Sequence, residues 1–253
     1  MTVTGQRIAG LALLGALLLT WEAAARGLAL SALVLPPPSR VAEVLWRGLA
    51  TGYFWQHLRA TGLELLLGLA VGGAFGFAAG VLLAESPRLR ALLLPYVVVS
   101  QVVPKLALMP LFIVWFGFGL LPTVVVTALI CFFPLMENTL TGLAQVPPDR
   151  LELFRMLGAS RLQVLWRLKL PTGLPAILAG LRIAVVLALV GVVVAEFIGT
   201  SQGLGALIIA AQGSMDTPLM FAVLVLVSGL GLITYQAALW LERRLLRRHT
   251  ASS

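Results

Sequence analysis

Charge is scarce in this 253-residue chain: 11% of residues are Asp, Glu, Lys or Arg, against 60% hydrophobic. An ordinary soluble domain is roughly 45–50% apolar, so the composition excludes one and specifies an integral membrane protein. Cysteine is limited to Cys131, which excludes a disulfide framework and a thiolate metal cluster; set in an apolar run, it reads as a small buried apolar residue. The two histidines, His57 and His249, form no ligand pair at helical spacing, and are expected at the interface and in the polar tail. The chain has no Gly-x-x-x-x-Gly-Lys-Ser/Thr loop to cradle phosphate and no serine elbow for acyl transfer. It is therefore expected to be no enzyme, with no catalytic residue, metal or cofactor of its own. The formal charge of +8 comes without an aromatic-interleaved basic patch, so nucleic acid is not an expected partner.

What the chain does have is a series of apolar runs near the ~20 residues a bilayer requires. They predict an all-α fold of one transmembrane domain, 1–253, with spans at 8–33, 58–84, 91–114, 120–143, 172–199 and 217–241. Arg7, the run 8–20 and the Ala-x-Ala at Ala23 and Ala25 imitate a signal peptide. Trp21 and Glu22 crowd that site, and the run continues through Leu28, Leu30 and Leu33 to Pro36, so an uncleaved first span is expected. Ser39 reads as the cap of an interfacial helix over 40–49. Trp46, Tyr53, Phe54 and Trp55 suit headgroup level. Gly68, Gly72, Gly76 and Gly80 recur every fourth residue in the second span, a spacing that lets another backbone approach closely. Pro95, Pro104 and Pro110 interrupt the third span, which is tolerated in lipid where protein or a polar cavity satisfies the freed carbonyls. After the fifth span, glycines break the chain and residues 204–211 suit a short helix.

Six spans place both termini on one side. That side would hold Arg7, Arg88, Arg90, Arg150, Arg155, Arg161, Arg167, Lys169, Arg243, Arg244, Arg247 and Arg248, against Arg26, Arg40, Arg47 and Arg59 on the other. The excess assigns the termini and the 144–171 loop to the cytoplasm.

That loop carries the most specific pattern. Pro148 and Asp149 start a helix, and Leu151, Phe154 and Leu157 share one face. Gly158 can turn the chain through a left-handed conformation, and Ser160 can begin a second helix. Glu152, five residues, Gly158, nine residues, then Leu168-Lys169-Leu170-Pro171 resembles the cytoplasmic-loop signature of permease subunits in binding-protein-dependent ABC importers. Leu153 and Phe154 stand where the usual pattern has two small residues. VLPPPSRV at 34–41, VPKLALMPLFIVWFGFG at 103–119, FFPLMENTLTGL at 132–143 and the glycine-rich stretch at 180–208 resemble the nitrate, sulfonate and taurine branch. The resemblance implies a type I ABC importer permease fold in the bacterial inner membrane. Its implied partners are a second copy of the chain, two cytoplasmic ATPase subunits that bind ATP and Mg, and an external, periplasmic or lipid-anchored, substrate-binding protein. Glu152, Leu153, Phe154, Arg155, Met156, Leu157, Gly158 and Ala159 would form the helix that couples to the ATPase. Members with a similar proline-lysine motif also carry heterocycles such as pyrimidines and riboflavin.

Ionisable groups inside a span are expensive, roughly 2.5–3.5 kcal/mol at a helix centre, and are functional candidates by default. These are Glu64, Lys105, Arg182 and Glu196, a tentative translocation pathway. Lys105 either meets an anionic or polar solute or is neutralised by Glu64. Arg182 snorkels to the cytoplasmic face or contacts the solute. Glu196 contacts the binding protein, lines an outer gate or meets interfacial water. Glu64 and Glu196 would also suit a proton-driven secondary transporter, but no internal repeat accompanies them.

Overall fold

The computed structural model of the chain describes residues 3–27 and 33–250. In chain order its helices are α1 (Val3–Gly27), α2 (Pro38–Ala50), α3 (Tyr53–Glu85), α4 (Pro87–Val102), α5 (Met109–Phe116), α6 (Leu120–Ala144), α7 (Pro148–Met156), α8 (Arg161–Val164), α9 (Leu170–Gly199), α10 (Leu204–Gly213) and α11 (Thr217–Thr250). Five described helical stretches are long and apolar enough to cross a bilayer, and α4 with the segment Lys105–Phe116, bent by 80°, makes a sixth, broken span.

The third span thus differs from the continuous 91–114 expected. Pro104 lacks an N–H and pushes Val103 out of the helical region, to φ −69° and ψ 122°. The chain then takes a single 3₁₀ turn over Lys105–Leu108 before α5. Pro110 breaks nothing, because it falls in the first turn of α5, where its missing N–H is an orphan anyway. In the first span, the expected continuation through Leu28 and Leu30 lies outside the described residues.

Helix α6 is the centre of the bundle, packed along α3 on one side and α9 on the other. The glycines of α3 make the first contact possible. A Cβ on Gly68 would sit 2.5 Å from Thr127, and one on Gly72 or Gly76 would collide with the backbone of Ala128 or Phe132. The glycine stripe therefore serves packing within one subunit. Leu65, Cys131, Ala184, Ala188 and Val192 fill the middle of this layer. Cys131 is buried as expected, its Sγ 3.5 Å from the Ala184 carbonyl.

At the end of the bundle away from the α6–α9 loop, Val41, Phe54, Leu204, Leu207, Ile208, Ala222 and Val223 form a second core. Phe54 belongs to it and is fully buried, unlike the headgroup ring expected, whereas Trp46, Tyr53 and Trp55 are exposed. Helix α2 starts at Pro38 with Pro37, not Ser39, at the cap position. The Ser39 amide and hydroxyl instead donate to Glu22 at 3.0 and 2.8 Å. Together with the Arg26–Glu22 pair at 2.6 Å and Trp21 against Phe221, this ties the largely exposed α1 to the rest.

Overpacking a close helix crossing costs about 1–3 kcal/mol. Gly72→Val is expected to lower the thermal stability of the detergent-purified chain by that amount or to prevent folding. Gly229→Ala in α11, where a Cβ meets nothing within 4 Å, leaves it unchanged; equal melting of the two variants would refute the packing argument.

Candidate functional site

The loop between α6 and α9 is built from strong local signals. Pro148 lies in the first turn of α7, with Asp149 there and Arg155 in the last turn, the charge order that complements the helix dipole. At its end the Gly158 amide donates to Arg155 O and the Ala159 amide to Phe154 O, both at 3.0 Å, with Gly158 at φ +69°. This is the paired-bond glycine stop that leaves few carbonyls unpaired. Ser160 then opens α8 with a reciprocal cap: its hydroxyl accepts the Gln163 amide at 3.3 Å, and its own amide donates to Gln163 Oε1 at 2.8 Å. The expected helix, glycine turn and restart are all present, the helix beginning at Pro148.

Leu151 and Phe154 are half-buried. Leu157 is not on that buried face: it follows the last helical residue, where the chain is already turning, and is 74% exposed. With Leu153 and Met156, at 53% and 80%, it forms an apolar knob on a basic loop.

The loop is tied down at its base. Where α6 and α9 cross beneath it, Gly142 and Gly173 meet so closely that a Cβ on either would lie 2.8 Å from the other's backbone. Val146 and Leu168 are buried on either side. A π turn over Leu165–Lys169 leads into α9, and Lys169 Nζ reaches Glu85 Oε1, the last residue of α3, at 2.7 Å. Three spanning helices are thereby fastened to one loop.

The four ionisable groups expected inside spans fall in different places. Lys105 does not meet Glu64; its Nζ donates to Gln101 Oε1 at 2.8 Å, beside a cavity of about 340 Å³ lined by Phe133, Pro134 and Leu187. Arg182 is held by Glu242 of α11, Nε to Oε2 3.1 Å, at a cavity of about 360 Å³ that Leu187 and Tyr235 also line. Glu196 is fully buried rather than in interfacial water. Its Oε1 accepts from the Thr61 hydroxyl and its Oε2 from the Gly205 amide, both at 2.6 Å, while the Leu204 amide donates to Thr61 Oγ1 at 2.8 Å. Glu196 and Thr61 thus take up the unpaired amides of α10's first turn. His57 is buried too, with Nδ1 3.0 Å from Gly203 O, not at the interface. Glu64 turns toward Glu196.

Sequence reasoning did not single out Thr61, Glu85, Gln101 or Glu242. Thr61 three residues before Glu64 and Gln101 four before Lys105 share a helical face with a candidate charge, a signal that was available. The Glu85–Lys169 and Arg182–Glu242 pairs join distant segments and had none.

Residues 72–247 match the family model described as the inner membrane component of binding-protein-dependent transport systems. The chain is 38% identical over 234 residues to a probable ABC transporter permease protein of Haemophilus influenzae, covering 92% of this chain and 95% of that protein. It is 38% identical over 231 residues to the riboflavin transport system permease protein RibX of Chloroflexus aurantiacus, covering 91% and 86%. It is also 34% identical over 241 residues to the taurine transport system permease protein TauC of Escherichia coli, covering 93% and 88%. The inward-facing MetNI methionine ABC transporter shares the fold, with a TM-score of 0.64 and 22% identity over 77% of this chain and 98% of that one.

The partly buried Glu85–Lys169 pair contributes only about 1 kcal/mol to stability. Glu85→Lys or Lys169→Glu alone is expected to lower the melting temperature by a few degrees, and the double exchange to restore most of it. Additive losses in the double variant would show that the pair is not coupled.

Proposed function

The chain belongs to the family of inner membrane components of binding-protein-dependent transport systems, and we propose that it is the membrane-spanning subunit of an ATP-driven importer of a small solute. The observation that carries this reading is the apolar knob Leu153, Met156 and Leu157, exposed on a doubly capped loop fastened to α3, α6 and α9. An exposed apolar cluster on a rigid, basic loop calls for a protein partner, and the chain has no phosphate-cradling loop of its own. The partner is a cytoplasmic ATPase, two copies of which hold ATP and Mg beneath a homodimer of this chain in the lipid bilayer. An external binding protein delivers the solute. With 152–159 as the coupling element, closure of the ATPases tilts α6 and α9 as a unit and alternates access between the two sides.

Lys105 is the residue on which we place contact with the solute. Its ammonium has three N–H donors, one given to Gln101, and it borders a cavity at the break in the third span. A sulfonate, taurine or nitrate would take the remaining donors, and so would the carbonyl oxygens of a pyrimidine or riboflavin; relatives named for taurine and for riboflavin support both classes. Arg182, committed to Glu242, and Glu196, committed to α10, hold the walls of the path.

Two measurements test the reading. Purified in mild detergent from its host, the chain should bring an ATPase with it. Met156→Asp with Leu157→Asp should lose the ATPase while the chain stays folded, and Gly158→Val should do the same by straining a left-handed position by about 1–2 kcal/mol. A wild-type chain that comes out alone even after cross-linking would overturn the reading, and uptake stopped by an uncoupler at constant ATP would assign the energy to an ion gradient. In the second, Lys105→Met should reduce uptake about ten- to hundredfold, the loss of a charge-assisted hydrogen bond, with the ATPase still bound; unchanged uptake would remove Lys105 from the path.

A further inference from the structure

At the end of the bundle away from the α6–α9 loop, a cleft of about 840 Å³ opens between α3, the start of α6 and the turn at residues 200–202. Glu64 lies in its wall. The residue is only 3% exposed, and its Oε2 finds no hydrogen-bond partner among the described residues. Behind it lies Glu196, whose two oxygens are already taken by Thr61 and Gly205. A carboxylate oxygen buried without a donor is costly to leave so. Two carboxylates facing one another repel unless a proton or a positive charge sits between or beside them.

We propose that this cleft is a binding site for a monovalent cationic centre, either an alkali ion or the ammonium group of a small solute, with Glu64 as its anionic ligand. The charge of the centre follows from the ligand set. Divalent ions ask for several carboxylates or a near-complete oxygen shell, and no group of three metal-binding side chains exists among the described residues. Glu64 is the one carboxyl group in the lining. Ser201, Gln202 and Gln56 bring hydroxyl and amide oxygens to the same cleft, ligands suited to a weakly demanding ion or to the hydrogens of an ammonium group. Arg59, also in the lining, is exposed and adds positive charge at the rim, which weakens the field further. Occupancy would stiffen the junction of α3, α9 and α10, because Glu64 is one turn of helix beyond Thr61 and rests on the carboxylate that caps α10. The site is separate from Lys105 and stands whichever solute passes there.

The test is thermal unfolding of the full chain in lipid nanodiscs, followed by tryptophan fluorescence. Sodium, potassium and methylammonium chloride are titrated at constant ionic strength against N-methyl-D-glucamine chloride. The expected result is a saturable rise, about 5 °C at a hundredfold excess over the midpoint, for at least one probe. A rise with sodium or potassium assigns an alkali ion; a rise with methylammonium alone assigns an ammonium group. Glu64→Gln should abolish the rise, and Arg59→Gln, distant enough from the core to fold, should lower the midpoint about fivefold. No saturable rise with any probe overturns the proposal. So does a rise unchanged in both variants, or a melting temperature that follows pH alone, which would give the site to a shared proton.

Discussion

Lipid tails are as apolar as leucine, so burying hydrophobic surface gives membrane helices little reason to associate; close packing and satisfied polar groups must hold them. In this molecule that constraint is met along α6. Its backbone at Ala128 and Phe132 lies against Gly72 and Gly76 of α3. Its other side meets α9 at Gly142 against Gly173, and at Asn138 against Gly180, where a Cβ would lie 2.6 Å away. The three helices form the frame on which α2, α5, α10 and α11 dock. Helix α1 lies beside it, held through Glu22 and Ser39.

A chain that interrupts its helices inside a bilayer must find partners for the freed backbone groups. The break before α10 is closed by side chains: Glu196 and Thr61 take up the amides of Gly205 and Leu204, and His57 Nδ1 lies 3.0 Å from the Gly203 carbonyl oxygen. The break at Pro104 is closed differently, by one 3₁₀ turn in which the Ala107 amide donates to the Pro104 carbonyl at 2.9 Å. Polar groups in the bundle therefore fall into two kinds. Glu196 and Thr61 are committed to the protein by hydrogen bonds and Arg182 to Glu242 by an ion pair, whereas Lys105 and Glu64 keep unused hydrogen-bonding capacity beside a cavity. Spare capacity, more than charge alone, separates a site from a strut.

The loop joining α6 and α9 follows the same economy. Both of its short helices are capped from within, its two ends are pinched together at Gly142 and Gly173, and Lys169 ties it to α3. What it leaves exposed is apolar, at Leu153, Met156 and Leu157. A force applied to that knob would reach three spanning helices without first bending the loop.

The sequence by itself determined the membrane class, the glycine stripe of α3, the glycine stop and serine restart at Gly158 and Ser160, and the family pattern of the loop. Each is a matter of composition or of residues a few positions apart, where hydropathy and backbone sterics act locally. It did not determine that the third span breaks at Pro104, since a proline inside a span can also be absorbed, as Pro95 is. Nor did it determine the partners of the charged groups: Lys105 with Gln101, Arg182 with Glu242, Lys169 with Glu85. A charge inside a span announces that it needs a partner, but which partner depends on helix rotation and crossing. Those are decided by where α3 and α9 come closest to α6.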